Sequence, residues 1–371
     1  MKLPVGVQIL GRPPVAAAAA IARGMEMAGA DSFWTPDHWM WLAPLELWEP
    51  RTFPVARLVR NPEDNFDPFT FLAWLAARTR RSRLGIAVTE SIRRHPAEIA
   101  QAALSLHHLS RGRFVLGIGA GERENVEPYG LSYSGQVSRL EEAVYLIRLL
   151  WTSRDYVSYQ GRFFNLDRAI VGLGPYRKTF PPIWLAAHGP RALRLAGRYA
   201  DGWLPTHQME PDEYAAHLEE IRASAREAGR ELRSFTPSYE MTVVVARSHE
   251  EAHRLLDTNV LRLGALILPP STWTKGGADH PFGPSYRGIV DYIPSRLDPG
   301  DVRALLPKVP LEVLHAAFDH GTAEQLAARA RSFQAVGLRH VVIRNVTPLV
   351  DPRRAIGSFR LLARTIRLLR S

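Results

Sequence analysis

Cysteine is absent from the 371-residue chain. Disulfides, thiolate metal sites and a cysteine nucleophile are thereby excluded, and a reducing, cytoplasmic setting is expected. Lysine is scarce: only Lys2, Lys178, Lys275 and Lys308 occur, so the formal charge of +10 rests mainly on arginine. The arginines are scattered and form no basic arm. That distribution points to a solvated arginine-rich surface and away from nucleic acid, although the same field would favour a polyanionic cofactor or substrate. No apolar run reaches the roughly 18 residues of a membrane span, so no integral membrane segment is expected. The alanine run Ala16 to Ala20 reads as an amphipathic helix entered through proline, because Arg12-Pro13-Pro14 precedes it and Arg23 and Glu26 follow. A Gly-x-Ser-x-Gly elbow is missing, which lowers the case for a hydrolase. Histidine clusters with metal-ligand spacing are not expected, since His107 and His108 are adjacent and no His-x-x-x-His with a carboxylate partner is read, so no metal is expected.

What is present is a repeated joint. Gly29 stands before Asp31-Ser32-Phe33-Trp34, Gly197 before Asp201-Gly202-Trp203-Leu204, and Gly337 before Leu338 to Ile343. Glycine after a helix supplies a left-handed cap, and an apolar strand follows within a few residues. Strands are expected at Val5–Leu10, Asp31–Trp34, Leu84–Thr89, Phe114–Gly119, Ile183–Ala187, Asp201–Pro205, Ser238–Ala246 and Arg339–Asn345. Helical patterns lie at 14–28, 68–80, 96–109, 138–151, 190–199, 211–228, 249–262, 322–335 and 352–369. About eight βα units with strands buried on both faces predict an α/β fold, a (β/α)8 TIM barrel forming one domain over residues 1–371. A doubly wound sheet would carry Gly-x-Gly-x-x-Gly after its first strand, where Gly11-Arg12-Pro13-Pro14 stands instead. Two stretches break the alternation, 42–66 and 269–300. Loops of that length serve as lids or binding loops, or else as mobile packing, here placed at the C-terminal mouth.

The strand ends carry the candidate chemistry, since catalytic groups of such barrels collect there. Trp34-Thr35-Pro36-Asp37-His38-Trp39 offers His38 as an acid/base, its pKa lying nearest neutrality, with Asp37 beside it. The alternative is a capping Asp37 next to a structural His38. Gly117-x-Gly119-x-Gly121 does not open a helix, so it is no dinucleotide fingerprint, but a glycine-rich strand end lets a flat ring approach the backbone. Glu122 stands just beyond it, with Arg123, Glu124 and Glu127 nearby. Ala186-Ala187-His188-Gly189-Pro190-Arg191 passes from strand into helix, where free amides and Arg191 offer either a phosphate site or an ordinary tight turn. Arg93-Arg94-His95-Pro96 adds positive charge at the same rim.

Taken in order, Pro36-Asp37-His38, Arg94-His95-Pro96, Gly117 to Glu122, and Ala186 to Pro190 followed by Ala196 to Gly202 resemble the bacterial luciferase-like superfamily, in its deazaflavin (coenzyme F420)-dependent branch. Gly121 to Glu124, Glu127 to Gly130, Ala186 to Arg191 and His280-Pro281-Phe282-Gly283 are similar to its phthiodiolone dimycocerosate ketoreductase group. The resemblance implies a dimeric barrel that moves a hydride between reduced F420 and a ketone or secondary alcohol. His38 would be the acid/base, and Glu122 and Asp37 would handle or orient protons. Val88 and Thr89 would back the ring, often through a non-proline cis peptide, together with Asp37, Ala120, Gly121 and Glu122. Ala186, Ala187, His188, Gly189 and Arg191 would hold the cofactor's phosphate tail. Relatives acting on glucose 6-phosphate carry a tryptophan where this chain has Leu42, which argues against a sugar phosphate. The aromatic and aliphatic residues of the two loops, Leu42, Leu45, Leu47, Trp48, Phe53, Trp273, Phe282 and Tyr286, suggest a large apolar, lipid-like ketone instead, or else pack only against the barrel or a dimer partner. The competing readings are an FMN-dependent monooxygenase of the same fold, an F420-dependent sugar-phosphate or alcohol dehydrogenase, and a non-catalytic barrel that binds a polyanion.

Overall fold

Short apolar runs that alternate with amphipathic helices can bury both faces only by closing on themselves or by stacking between helical layers, and this chain closes. The computed structural model describes residues 2–371. Its strands are β1 (Val5–Gln8), β2 (Ser32–Thr35), β3 (Arg83–Ile86), β4 (Thr89–Glu90), β5 (Phe114–Gly119), β6 (Val157–Gln160), β7 (Asn165–Ala169), β8 (Ile183–Leu185), β9 (Gly202–Trp203), β10 (Thr236–Val245), β11 (Asp319–Gly321) and β12 (His340–Asn345). Strands β1, β2, β3, β5, β8, β9, β10 and β12 pair in parallel in that order, and β12 returns to β1 through Val5 opposite Val341. The result is the expected eight-stranded barrel with helices outside it.

Side chains fill the barrel. Trp34 of β2 and Trp184 of β8 are fully buried with ring centroids 4.9 Å apart. The indole N–H of Trp34 donates to the Ser32 hydroxyl at 2.7 Å, and Ser32 meets His340 Nε2 at 2.8 Å. Gly6, Gly85 and Gly202 lie against these two indoles, where any Cβ would collide. The barrel is thus a packed core below its mouth, and any cavity must lie above it.

Three local expectations are corrected. Gly29 and Gly337 do take positive φ after their helices, but Gly197 lies inside helix Pro190–Tyr199. There it lets helix Pro211–Glu227 come close, since a Cβ would run into the Ile221 carbonyl and Ser224. The expected strand 84–89 is split in two, β3 ending at Ile86 and β4 starting at Thr89, and the Ala87–Val88 peptide between them is cis. Helix 249–262 is also two helices, His249–Leu256 and Asn259–Leu266. The antiparallel β6–β7 hairpin and the short β11 had no clear sequence signal. β11 pairs with Val243–Val245 on the edge of β10 opposite β12.

The two irregular stretches are not loose. Residues 42–66 and the segment between β10 and β11 share a second hydrophobic core that includes Leu47, Phe53, Leu261, Leu266, Trp273, Val313 and Phe318. This second core forms a cap over the C-terminal mouth. Residues 269–300 contain helix Pro270–Lys275, two single 3-10 turns and the start of helix Pro299–Leu305. No helix among the described residues is long and apolar enough to cross a membrane.

Candidate active site

A cavity of about 250 Å³ lies between the barrel mouth and the cap. Barrel strands supply its polar lining: Gln8 from β1, Glu240 and Thr242 from β10, and Arg344 from β12. The cap supplies apolar side chains, including Leu42, Phe53, Leu263, Ile267, Leu268 and Phe318. One wall combines Ala87, Val88 and Thr89 with Gly119, Ala120, Gly121 and Glu122. Apart from Glu122, nothing on that wall is larger than valine, so it presents a nearly flat surface.

His38 reaches this cavity from the end of β2. Its Nδ1 bonds to Glu124 Oε1 at 2.6 Å, and Glu122 Oε2 lies 3.7 Å from the same nitrogen. Only Nε2 is left for a ligand. Burial alone would lower the imidazole pKa, but the charge of Glu122 and the hydrogen bond and charge of Glu124 outweigh it and raise it to about 9. At neutral pH the group is an imidazolium paired with a fully buried carboxylate. Burial and the neighbouring Glu124 charge also raise Glu122, to about 7, which for a carboxyl favours the neutral form, against the pull of His38. Burial also raises Glu240, although Arg344 Nη1 stands 3.6 Å from it. A protonated imidazole, a proton-sharing carboxylate and a buried acid therefore surround one small volume. Such offsets are typical of groups poised to pass protons.

Asp37 belongs to a different network. Thr89 Oγ1 donates to its carboxylate at 2.7 Å, and Arg93 and Arg94 each pair with it at 3.3 Å. Arg93 also binds Glu90 at 2.6 Å. The positive charge expected at the rim from Arg93 and Arg94 is therefore spent on Asp37, Glu90 and Asp67. Asp37 fixes the β2 loop against β4, and Glu124, not Asp37, is the carboxylate bonded to His38. Asn125 completes the hold by accepting from the Trp39 amide at 2.9 Å.

The glycine run has two separate duties. A Cβ on Gly117 would strike the Ile86 carbonyl, so this residue permits the close approach of β3 and β5 and faces no ring. Gly121, at φ +85°, turns the chain toward Glu122. At the β8 end, Ala186 and His188 line the cavity, and His188 stacks on His207 with centroids 3.9 Å apart. Ala187 is buried, its carbonyl accepting from the Trp203 indole at 2.8 Å. Gly189 precedes the helix started by Pro190, and a Cβ there would meet nothing within 4 Å. Arg191 points elsewhere: its guanidinium donates to Ser138 at 2.7 Å and lies 3.6 Å from Glu141.

The aromatic lining expected of the loops is only partly present. Leu42 and Phe53 line the cavity, whereas Leu47 and Trp273 are buried in the cap core and Leu45 is exposed. Phe282 and Tyr286 pack around His280. The apolar lining comes mostly from aliphatic residues of helix Asn259–Leu266 and its surroundings, which sequence reading did not single out. Glu240 and Arg344 were also missed. Their signal was a charged residue inside an otherwise apolar strand, Tyr239-Glu240-Met241 and Ile343-Arg344.

Comparison with known proteins agrees with this fold. The family profile described as luciferase-like monooxygenase matches residues 3–340. A phthiodiolone/phenolphthiodiolone dimycocerosates ketoreductase of Mycobacterium kansasii is 40% identical over 337 residues, covering 90% of this chain and 92% of that one. An F420-dependent glucose-6-phosphate dehydrogenase of Nakamurella multipartita is 33% identical over 280 residues, covering 73% of this chain and 75% of its own length. Among solved structures, an F420-dependent secondary alcohol dehydrogenase in complex with an F420–acetone adduct superposes over the full length of both chains with a TM-score of 0.78 at 22% identity. The chain belongs to the luciferase-like monooxygenase family and is one of its oxidoreductases.

Proposed function

We propose that this oxidoreductase uses the deazaflavin coenzyme F420 to reduce a large apolar ketone, or to oxidise the matching secondary alcohol. The observation that carries the reading is His38, a charged imidazole held by Glu124 at the meeting point of a flat backbone wall and an apolar cap. The wall of Ala87, Val88, Thr89 and Gly119 to Glu122 fits a planar ring, and the open Gly189 start of helix Pro190–Tyr199 fits an anionic tail. Bound there, F420 supplies or accepts a hydride without activating oxygen.

The protein's own residues then have defined tasks. The flat wall orients the ring, and the cap excludes water from the substrate. His38 holds a proton on Nε2 for the carbonyl oxygen in reduction, and takes it back in oxidation. Glu124 keeps that imidazole charged, and Glu122 exchanges the proton onward. Asp37 positions the loop that carries His38.

Substrate class follows from charge and surface. Arg344 is the only lysine or arginine lining the cavity, and it already faces Glu240. The cationic loop residues Lys275, Arg287 and Arg296 pair with Glu213, Asp291 and Glu127 instead. A sugar phosphate therefore finds little, while an alkyl chain finds leucine, isoleucine and phenylalanine. Fluorescence titration of the purified apoprotein with F420 and with FMN tests the cofactor. Tight F420 binding with hydride transfer to long-chain ketones is expected. Tight FMN binding with oxygen consumption, or a preference for glucose 6-phosphate, would overturn the reading.

A further inference from the structure

Contrary to the expectation above, metal-ligand spacing is present in the sequence, at His249-Glu250-Glu251-Ala252-His253. Histidines four residues apart share one helix face, and here they sit on helix His249–Leu256. The fold brings two more to that face: His315 from helix Leu311–Ala317 and His320 from β11. One ligand nitrogen from each of His253, His315 and His320 lies within 4.8 Å of the others. Ring centroids are 4.7 Å apart for His253 and His315 and 4.9 Å for His315 and His320, and the His249 ring is 5.3 Å from His320.

We propose that His253, His315 and His320 form a binding site for a divalent transition-metal ion of the zinc class, separate from the hydride-transfer cavity. The donor set is right for such an ion, since neutral imidazoles prefer zinc, copper and nickel over magnesium or calcium. The tautomer of one ligand is already fixed. His320 Nδ1 faces the Phe318 carbonyl at 3.2 Å, which leaves Nε2 for a metal, the arrangement that orients ligating histidines generally. The imidazoles of His253 and His315 have no hydrogen-bond partner among the described residues. Zinc–nitrogen bonds of about 2.0–2.1 Å in a tetrahedral set place the nitrogens about 3.4 Å apart, so the site must tighten by roughly an ångström. His315 is exposed and free to make that movement. A water would complete the shell.

The three ligands come from two helices of the cap and from β11 on the barrel's edge, so an ion would tie helix His249–Leu256 to the segment 311–321. That segment contributes Ala317 and Phe318 to the cavity wall. The ion would thus fasten part of the substrate-facing wall without touching the reacting atoms.

Calorimetric titration of the tag-free, chelator-stripped full-length protein with zinc sulfate tests the site, with visible absorption of the cobalt(II) form as a second readout. One ion per chain is expected, bound more tightly than about 10 µM. Saturation should raise the thermal midpoint by a few degrees. His315 is exposed, so His315→Ala removes no core packing; it should leave the metal-free thermal midpoint unchanged and weaken binding at least about tenfold, one lost ligand being worth that much or more. His253→Gln should do the same, and His38→Ala should bind zinc as the parent does. Binding weaker than about 10 µM would overturn the proposal, as would binding that survives both cap variants or disappears with His38.

Discussion

If the protein reduces ketones as proposed, Glu124→Gln should confine that activity to pH values below neutrality, where the parent would keep it well above. Glu124 is fully buried, its Oε1 lies 2.6 Å from His38 Nδ1, and its Oε2 has no protein partner. Glutamine keeps the size and can still accept from Nδ1–H, but removes the charge. With the carboxylate present, the His38 pKa stands at about 9, so the acid-competent form is complete below that value and lost as pH rises through it. At pH 8 about nine-tenths of the parent carries the proton. Without Glu124, burial opposes the charge and only Glu122 remains to favour it. If the pKa falls back to the ordinary imidazole value of about 6.5, about 3% is protonated at pH 8. The expected loss in kcat/KM for ketone reduction is therefore about ten- to thirtyfold at pH 8, and less than about twofold at pH 6. Alcohol oxidation needs the neutral imidazole and should gain in the same pH range. The assay is a pH profile of both directions under F420 turnover, with a melting curve at each pH because the new amide leaves a buried N–H without a partner. An equal loss at pH 6 and pH 8 would refute the proton argument and reduce Glu124 to a packing role. An unchanged profile would refute the pairing altogether.

His38→Ala should leave F420 affinity nearly intact and lower turnover by about 100-fold or more, measured by binding titration beside steady-state rates; unchanged turnover would make His38 structural. Gly117→Ala places a Cβ on the Ile86 carbonyl and should cost about 1–3 kcal/mol of stability in a denaturant titration. A Cβ at Gly189 meets no atom within 4 Å and the φ of −85° is ordinary, so Gly189→Val should fold as the parent does and weaken F420 binding alone; undiminished affinity would move the tail site elsewhere. Leu42→Gln at the cavity wall should raise KM for long-chain ketones about five- to thirtyfold, as expected for about 1–2 kcal/mol of lost apolar burial, and spare short ones. An equal effect on both would place the chain-binding surface away from Leu42.

The sequence by itself determined the barrel and pointed to the end of it over which the cavity lies, together with a part of the residues that line that cavity. Apolar runs of strand length, each followed by an amphipathic helix, have few other ways to bury both faces, and polar clusters such as Pro36-Asp37-His38 and Gly121-Glu122 stand where those runs stop. Local pattern also placed Gly29 and Gly337 correctly, because a left-handed cap is a property of a few neighbouring residues. Gly197 looked identical and was not, because its duty is to admit a second helix about twenty-five residues away in sequence. Pairings across the fold were decided only by the tertiary structure. Glu124 is 86 positions from His38, and nothing in spacing distinguishes it from Glu122 or Asp37 as the partner. The same holds for the cap. Its hydrophobic core joins residues 42–66 to a segment two hundred positions later, which turned Trp273 inward and left aliphatic side chains to line the cavity. Short-range spacing reports which face a residue occupies. Charge, burial and proton affinity depend on what the rest of the chain brings to that face, and that is a property of the folded whole.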